Sequence, residues 1–331
     1  MSSYGKVLVT GGAGYVGAML VPELLQREYQ VKVLDAFMFD KTIFSNLKNN
    51  QQLEVIEGDI RDKATVQRAL AGVQAVIHLA AISNDPCSDL APRLTQEVNY
   101  DAIGQLVRLS QDQGVERFIA ASSSSVYGIK EVPNVTEDLQ LEPITLYARL
   151  KAESEKIIRK AAGKSFTTVA LRTATVCGFS PRMRLDLTVN ILTSHAVNKG
   201  LITVFGGRQK RPNIHIKDVV AMYADLLTAP AELINGDVFN YGTDNYTVLE
   251  IAEMVRGIVG QQVEIKVTAS NDDRSYHISS QKIKEKLGYV PKHSIQDAIR
   301  DVRQAFHQGL IPDYTDNRYY NIKKMQEIKF T

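Results

Sequence analysis

The sequence predicts an α/β fold in which a doubly wound parallel sheet is joined to a smaller C-terminal lobe. Three observations support this. Short β-branched or apolar runs alternate with longer stretches of helical periodicity through the first half of the chain. A glycine-rich turn follows the first of these runs, and an aspartate ends the second. Strands buried on both faces read as nearly continuous apolar runs, as they do here.

The expected elements follow from this alternation. Six strands are predicted, at Lys6–Thr10, Val31–Asp35, Leu53–Glu57, Ala75–Leu79, Arg117–Ala121 and Thr167–Arg172. Helices are predicted between them near 15–28, 62–71, 96–113 and 146–162. Beyond Arg172 the helical segments near 186–199, 217–228, 247–259, 279–287 and 294–308 are separated by turns and short strand-like pieces.

This change of rhythm predicts two lobes, which agrees with a length of 331 residues. We expect residues 1–175 to form the sheet domain, with 213–245 returning to it. Residues 176–212 and 246–331 would then form the substrate-binding lobe. No long Pro/Gly/Ser linker separates the two halves, so we expect them to pack closely along a cleft.

Composition excludes several classes of protein. Lys plus Arg is 39 and Asp plus Glu is 37, so a net charge of +2 leaves no positive excess for nucleic acid. No apolar run approaches the ~20 residues that span a membrane, and the start lacks the features of a signal peptide. We therefore expect a cytoplasmic protein with neither nucleic acid nor membrane as partner. Its two cysteines, Cys87 and Cys177, have no metal-ligand spacing, so we expect no metal.

The glycine-rich turn has the residues needed to hold a diphosphate. Gly11, Gly14 and Gly17 follow the first strand and open a helix. Glycine allows the backbone to approach a pyrophosphate closely, and the N-terminus of the helix attracts its negative charge. This is the dinucleotide-binding turn of a Rossmann fold. A turn without a ligand is the alternative, but it would not need three glycines.

Asp35 points to the kind of dinucleotide. It ends the second strand, where a carboxylate accepts hydrogen bonds from the adenosine ribose and repels the 2′-phosphate of NADP. The five residues after Asp35 include no Lys or Arg, and the nearest cation is Lys41. The predicted cofactor is NAD.

A tyrosine and a lysine four residues apart suggest proton transfer. Tyr147 and Lys151 lie on one face of a predicted helix, where the cation would favour the phenolate and lower the tyrosine pKa. Such a pair often arises by chance on an exposed helix. Here, however, the fifth strand ends in the serines Ser122 to Ser125, at the edge of the sheet where parallel sheets carry their sites.

In combination these motifs resemble the extended short-chain dehydrogenase/reductases, and within them the NAD-dependent nucleotide-sugar epimerase/dehydratase family. The matching stretches are Thr10 to Gly17, Gly58 to Asp62, His78 to Ala81, Ser123 to Gly128 and Tyr147-x-x-x-Lys151. The resemblance implies that Ser123, Tyr147 and Lys151 are catalytic. It also implies a cofactor site formed by Gly11, Gly14, Tyr15, Val16, Asp35, Asp59, Ile60, Leu79, Ala80, Ala81 and Asn99, together with Tyr147 and Lys151.

The same resemblance implies a nucleotide-diphosphate sugar as substrate. Asn190, Arg211 and Arg274 correspond to residues that hold the diphosphate, and guanidinium groups suit that role. The remaining substrate residues implied are Ser83, Ser124, Ser125 and Arg182. Family members that eliminate water between C5 and C6 of the sugar usually carry Asp-Glu directly after the catalytic hydroxyl. Ser124 and Ser125 stand there instead, which disfavours a 4,6-dehydratase.

The expected activity is epimerisation through a 4-keto sugar. A 4-dehydrogenase or 4-ketosugar reductase, and a protein that binds NAD without turnover, are the alternatives. The resemblance also implies a homodimer through a four-helix bundle of helices near 97–113 and 146–162, although their apolar residues would equally suit the core of a monomer. The tail from Tyr314 to Asn321 could cover a neighbouring chain or the mouth of the pocket.

Overall fold

The computed structural model describes residues 5–132, 134–243, 245–269 and 277–328. Its twelve strands are β1 (Lys6–Thr10), β2 (Gln30–Asp35), β3 (Leu53–Glu57), β4 (Ala75–His78), β5 (Arg117–Ser123), β6 (Thr167–Thr173), β7 (Thr175–Cys177), β8 (Leu201–Phe205), β9 (Lys210–His215), β10 (Asp237–Tyr241), β11 (Asn245–Thr247) and β12 (Glu264–Thr268). Each of the six expected strands is present, within one or two residues of its predicted bounds.

The described helices agree closely with the expected ones. They are α1 (Gly17–Gln26), α2 (Lys63–Leu70), α3 (Asp85–Leu90), α4 (Pro92–Gln96), α5 (Ala102–Asp112), α6 (Leu146–Ala161), α7 (Thr188–Lys199), α8 (Ile216–Asp225), α9 (Ala231–Ile234), α10 (Val248–Val259), α11 (Gln281–Leu287), α12 (Ile295–His307) and α13 (Asn321–Glu327). The helix expected near 96–113 differs, because a π-helical turn at Glu97–Asp101 separates α4 from α5.

Seven parallel strands form the central sheet, in the order β10-β6-β5-β4-β1-β2-β3. The chain starts at β1, runs outward to β3, and then crosses over to β4 on the other side of β1. The carboxyl ends of β1 and β4 therefore diverge at a switch point, which is where such sheets bind ligands. The seventh strand, β10, comes from the 213–245 segment and pairs with β6.

Helices cover both faces of this sheet. α1 and α8 pack together in one apolar layer, while α2, α5 and α6 pack in the other. A separate apolar cluster joins α7, α10 and α12 to β8, which pairs with β12. Capping boxes begin α10 at Thr247 and α12 at Ser294, satisfying backbone N–H groups of the first helical turn. No helix within the described ranges has the length and apolar content to cross a membrane.

The apolar residues of α5 lie inside the chain's own core. Ile103, Leu106, Val107 and Leu109 are buried between the helices and the sheet, and Ile158 of α6 joins them. They therefore pack in the core of a single chain, the alternative to a dimer interface. The exposed positions on the two helices include the charged residues Arg108, Arg149 and Glu153. These apolar residues therefore give the expected dimer no support.

A buried ion pair joins the central strands to α6. Arg172 on β6 and Glu155 on α6 are 3% and 4% exposed at their side chains, with Nη2 of Arg172 2.7 Å from Oε2 of Glu155. Glu155 also accepts a hydrogen bond from the Ser122 hydroxyl on β5. Arg172 Nη1 donates to the Tyr127 hydroxyl, which donates to Asn240 Oδ1 on β10. These bonds tie α6, β5, β6 and β10 together.

Removing one charge of this pair is expected to destabilise the protein strongly. Arg172→Met leaves the Glu155 carboxylate buried without its partner, so the free energy of unfolding should fall by about 3–5 kcal/mol. Urea denaturation followed by circular dichroism measures it. Arg300→Met is the control, because Arg300 pairs with Asp297 at an exposed position and should contribute less than about 1 kcal/mol. Equal losses in the two variants would contradict the assignment.

Candidate active site

A cavity of about 610 Å³ opens at the carboxyl ends of the central strands. The residues after β1, β2, β4, β5 and β6 all contribute to its wall, together with loops from the C-terminal half. It therefore lies at the switch point that the strand order creates. Both the glycine-rich turn and the Tyr147–Lys151 pair face this single cavity, so a dinucleotide and a second ligand would meet inside it.

The glycine-rich turn is shaped by close backbone contacts. Gly11 has φ +72°, and a Cβ placed on it would lie 2.5 Å from the backbone N of Ala80. A Cβ on Gly17 would lie 2.4 Å from the carbonyl oxygen of Gly12. Side chains are thus excluded at both positions. The cradle they leave, followed at once by the N-terminus of α1, fits the diphosphate of NAD.

Asp35 ends β2 and lines the cavity beside this turn. Its carboxylate accepts hydrogen bonds from the backbone N–H groups of Ala13 at 2.9 Å and Phe37 at 2.7 Å. Burial raises the pKa of Asp35, against the lowering effect of these two N–H groups and of Arg182. No Lys or Arg closely follows Asp35 in the sequence. In the folded chain, however, the loop after β7 brings Arg182 close to Asp35.

Most of the predicted site residues face the cavity. In addition to Asp35, its lining includes Gly11, Gly14, Tyr15, Val16, Asp59, Ile60, Leu79, Ala80, Ala81, Ser83, Ser123, Ser124, Ser125, Tyr147, Lys151, Arg182 and Arg211. Arg274 lies outside the described residues. Within the described parts of the chain, no cluster of His, Cys, Asp and Glu is placed to hold a metal ion.

Asn190 does not line the cavity, and its expected role in holding a diphosphate stays a prediction. It is completely buried. Its Oδ1 accepts from the backbone N–H of Gly178 at 3.0 Å, and its Nδ2 donates to the Tyr15 hydroxyl at 3.0 Å and to the carbonyl of Arg184 at 2.9 Å. All of its polar atoms are therefore used within the protein. Asn190 holds the loop after β7 against the glycine-rich turn.

Asn99 does not line the cavity either, and its expected contact with the cofactor stays a prediction. It is fully buried in the π-helical turn. Its Oδ1 accepts from the backbone N–H of Ile82 at 2.8 Å, and its Nδ2 donates to the carbonyl of Ile82 at 2.9 Å. The amide therefore mimics a neighbouring strand and fixes the loop after β4, which carries Ala80, Ala81 and Ser83 into the cavity wall.

Three elements bring the expected catalytic residues together. Ser123 ends β5, and its Oγ lies 2.9 Å from Oγ of Ser125. Tyr147 lies in the first turn of α6, which Thr145 caps by accepting from the backbone N–H of Ala148. Lys151 follows one turn later, with Nζ donating to the carbonyl of Ala121 at 2.8 Å. All three side chains line one cavity.

Burial dominates the electrostatics of this group. It lowers the pKa of Lys151 to about 8, although the carboxylate of Glu155 opposes the shift. It raises the pKa of Tyr147 to about 12, with Arg184 opposing and Asp85 reinforcing the shift. The expectation that Lys151 lowers the tyrosine pKa was wrong for this structure. The ammonium lies 6.0 Å from the centre of the tyrosine ring and its hydrogen bond goes to Ala121.

Several cavity residues were not among the predicted site residues. Phe37, Met38 and Phe39 come from the loop after β2, Arg184 from the loop after β7, and Asn321 from α13. Arg182, which the family resemblance implied, lies on the same loop as Arg184. No local pattern marked Asn321, because only the folded chain brings the C-terminal segment to the cavity.

Replacing Gly11 with alanine should weaken NAD binding by at least about tenfold, the equivalent of 1.4 kcal/mol. The added Cβ cannot be accommodated without moving the backbone of Ala80. Gly72→Ala is a matched control, because Gly72 has φ +71° but no atom within 4 Å of an added Cβ. It should cost about 1 kcal/mol of stability through backbone strain and leave NAD affinity unchanged. Fluorescence titration with NAD measures both variants, and equal affinities would contradict the role given to Gly11.

Comparison with known proteins agrees with this site. The sequence model of the NAD dependent epimerase/dehydratase family matches residues 7–242. A UDP-glucose 4-epimerase of Lactobacillus helveticus is 30% identical over 338 residues, covering 94% of this chain and 99% of that protein.

Solved structures agree in the same way. The UDP-glucose 4-epimerase of Thermotoga maritima with UDP-glucose has a TM-score of 0.82 at 28% identity, covering 92% of this chain and 99% of that one. The UDP-glucuronic acid 4-epimerase of Bacillus cereus, in complex with UDP-glucuronic acid and NAD, has a TM-score of 0.81 at 28% identity, with the same coverage. With the dinucleotide cradle, the Ser/Tyr/Lys group and the family match in agreement, the chain belongs to the NAD dependent epimerase/dehydratase family and is an NAD-dependent enzyme.

Proposed function

We propose that this protein is a nucleotide-diphosphate-sugar epimerase that acts through a 4-keto sugar. The observation that carries the proposal is the single cavity in which the dinucleotide cradle, Ser123, Tyr147 and Lys151 lie together. Relatives and structural neighbours named as UDP-glucose and UDP-glucuronic acid 4-epimerases support the same reaction.

In this proposal the chain's own residues move the proton and hold the sugar. NAD, held by the glycine-rich turn and Asp35, would supply reversible hydride transfer at the sugar carbon. Tyr147 takes the proton of the sugar hydroxyl as the carbonyl forms and gives it back when the hydroxyl is restored. The Ser123 hydroxyl donates a hydrogen bond to the reacting oxygen. Lys151, whose Nζ is fixed by the carbonyl of Ala121, would hold the nicotinamide ribose of the bound cofactor.

The serines beside Ser123 favour this reaction over loss of water. Elimination needs an acid and a base of its own at the sugar's C5 and C6. Ser124 and Ser125 line the cavity at the positions where dehydratases of the family carry their Asp-Glu pair. Hydroxyl groups with ordinary acidity are unsuited to that task. Hydride transfer with a single proton carrier, Tyr147, needs no such pair.

Among the residues that the structure describes, Arg211 is the candidate to bind the diphosphate of the substrate. It lies on β9 and lines the cavity. A guanidinium group can hold two phosphate oxygens at once, which suits a diphosphate.

The first test is a near-ultraviolet absorbance scan with a panel of nucleotide-diphosphate sugars that begins with UDP-glucose and UDP-glucuronic acid, with NMR identification of the products. We expect inversion at one sugar carbon with no net growth of the reduced-nicotinamide band. Growth of the band in proportion to sugar, with a ketone as product, would instead identify a 4-dehydrogenase. Binding of NAD without any sugar conversion across the panel would contradict both enzymes.

Tyr147→Phe tests the proton carrier. The substitution removes the phenol oxygen but keeps the ring, so turnover should fall by about 10²–10⁴ while NAD affinity stays within about twofold. Tyr100→Phe, on the π-helical turn and away from the cavity lining, is the matched control and should retain full activity. Undiminished turnover in Tyr147→Phe would exclude Tyr147 as the proton carrier.

We further propose a cytoplasmic homodimer. The location is supported by two cysteines that are both buried as free thiols, as expected in a reducing compartment. The homodimer is carried only by analogy with the family, through α5 and α6. Sedimentation equilibrium measures the mass directly, and a monomer at micromolar concentration would exclude the dimer.

A further inference from the structure

The C-terminal segment forms part of the wall of the ligand cavity. The carbonyl of Tyr319 accepts a hydrogen bond from the backbone N–H of Leu185 at 2.9 Å. On α13, Met325 is 2% exposed and packs against Ile82 of the loop after β4 and Cys87 of α3. Ile328, just beyond α13, lines the cavity itself. The segment therefore contacts the two loops that carry Ser83 and Arg182.

Asn321 is the residue through which this segment meets the polar part of the cavity. It is 3% exposed. Its backbone N–H donates to Asp186 Oδ2 at 3.1 Å, its Oδ1 accepts from Arg182 Nη2 at 2.6 Å, and its Nδ2 donates to Ser83 Oγ at 2.9 Å. The amide can bind both neighbours in only one orientation, because Arg182 can only donate and therefore needs the amide oxygen. The amide nitrogen then faces Ser83, whose hydroxyl oxygen accepts from it.

Arg182 is buried but not fully satisfied. It is 4% exposed, and its guanidinium carbon lies 3.9 Å from the centre of the Phe39 ring. Nη2 is bound to Asn321, whereas the buried Nε has no hydrogen-bond partner among the described residues. A buried donor without a partner is costly, and this one belongs to a side chain on the cavity wall. Within the part of the chain that the structure describes, the guanidinium group therefore depends on Asn321 for its one close side-chain hydrogen bond.

A second arginine adds to the positive charge here. Arg184 Nη1 lies 3.4 Å from Ser83 Oγ, and Arg184 is paired with Asp186 at 2.9 Å. Arg184 also acts electrostatically on the phenol of Tyr147. The cluster of Ser83, Arg182, Arg184 and Asn321 thus extends from the C-terminal segment towards the catalytic tyrosine. Asp186 neutralises Arg184 within this cluster, so the guanidinium group of Arg182 is the one available to a negatively charged group.

We propose that Asn321 is a positioning residue of this enzyme, which orients Arg182 and Ser83 towards negatively charged oxygen atoms of the bound nucleotide sugar. This rests on the proposed function for the identity of the ligand. The oxygen atoms belong either to the diphosphate or to a carboxylate on the sugar, which present the same chemistry to a guanidinium group.

Binding measurements on the full-length protein test this role. Calorimetric titration of the NAD-loaded protein with UDP, UDP-glucose and UDP-glucuronic acid gives three dissociation constants for each variant. Asn321→Leu removes both side-chain hydrogen bonds, and we expect binding to weaken by about tenfold or more. Asn321→Asp keeps an acceptor for Arg182 and should remain within about threefold of the wild type. Gln326→Ala, at an exposed position of α13, is the matched control and should change nothing.

The pattern across ligands identifies the source of the charge. Weaker binding of all three ligands indicates the diphosphate, whereas weaker binding of UDP-glucuronic acid alone indicates the sugar carboxylate. Either pattern supports the proposal. Unchanged dissociation constants in Asn321→Leu would overturn the proposal. It would also be overturned if Asn321→Leu lost NAD affinity and thermal stability as strongly as ligand binding and Asn321→Asp bound the ligands no better, because Asn321 would then be a purely structural residue. Since the readout is binding, a wild-type protein that binds these ligands without epimerising them refutes the proposed function alone.

Discussion

The buried ion pair between Arg172 and Glu155 is the constraint on which the geometry of the active site depends. Glu155 lies two helical turns after Tyr147 and one turn after Lys151, so the three side chains share one face of α6. Holding the carboxylate against β6 therefore fixes the rotation of the whole helix about its axis. The same carboxylate binds Ser122, the residue before Ser123. One buried ion pair thus sets the relative positions of the three groups that we propose as catalytic.

Buried polar groups hold the remaining walls of the cavity in a similar way. Asn99 holds the loop after β4, Asn190 holds the loop after β7, and Asn321 ties both of these loops to the C-terminal segment. An amide suits such positions because it donates and accepts at once and carries no charge that needs neutralising. The loops that line the cavity are consequently fixed before any ligand arrives, which reduces the ordering cost of binding.

Local patterns were enough to predict six of the seven strands of the central sheet and the residues that follow them. The glycine spacing, Asp35 and the Tyr147–Lys151 pair depend on sequence neighbours, and the structure places all of them at one cavity. Properties set by distant segments could not be predicted. Arg182 approaches Asp35 only in the folded chain, and the pKa of Tyr147 follows from burial, which no spacing reveals.

The same reasoning explains why Asn99 and Asn190 were assigned to ligands. A family pattern shows that an asparagine is required at a position, but both a ligand and a buried backbone group impose that requirement. Only the direction of the side chain separates the two cases. Here each amide binds backbone atoms of a cavity loop and so holds that loop in place.

Because of the π-helical turn at Glu97–Asp101, the position of Asn99 depends on the number of residues in this helical region. Such a turn accommodates one residue more than an α-helical turn does. Deleting a single residue here would convert α4, the π-helical turn and α5 into one continuous α-helix. Asn99 would then rotate by about 100° about the helix axis and lose Ile82. The number of residues in this helix therefore sets whether Asn99 reaches Ile82 and holds the cavity wall.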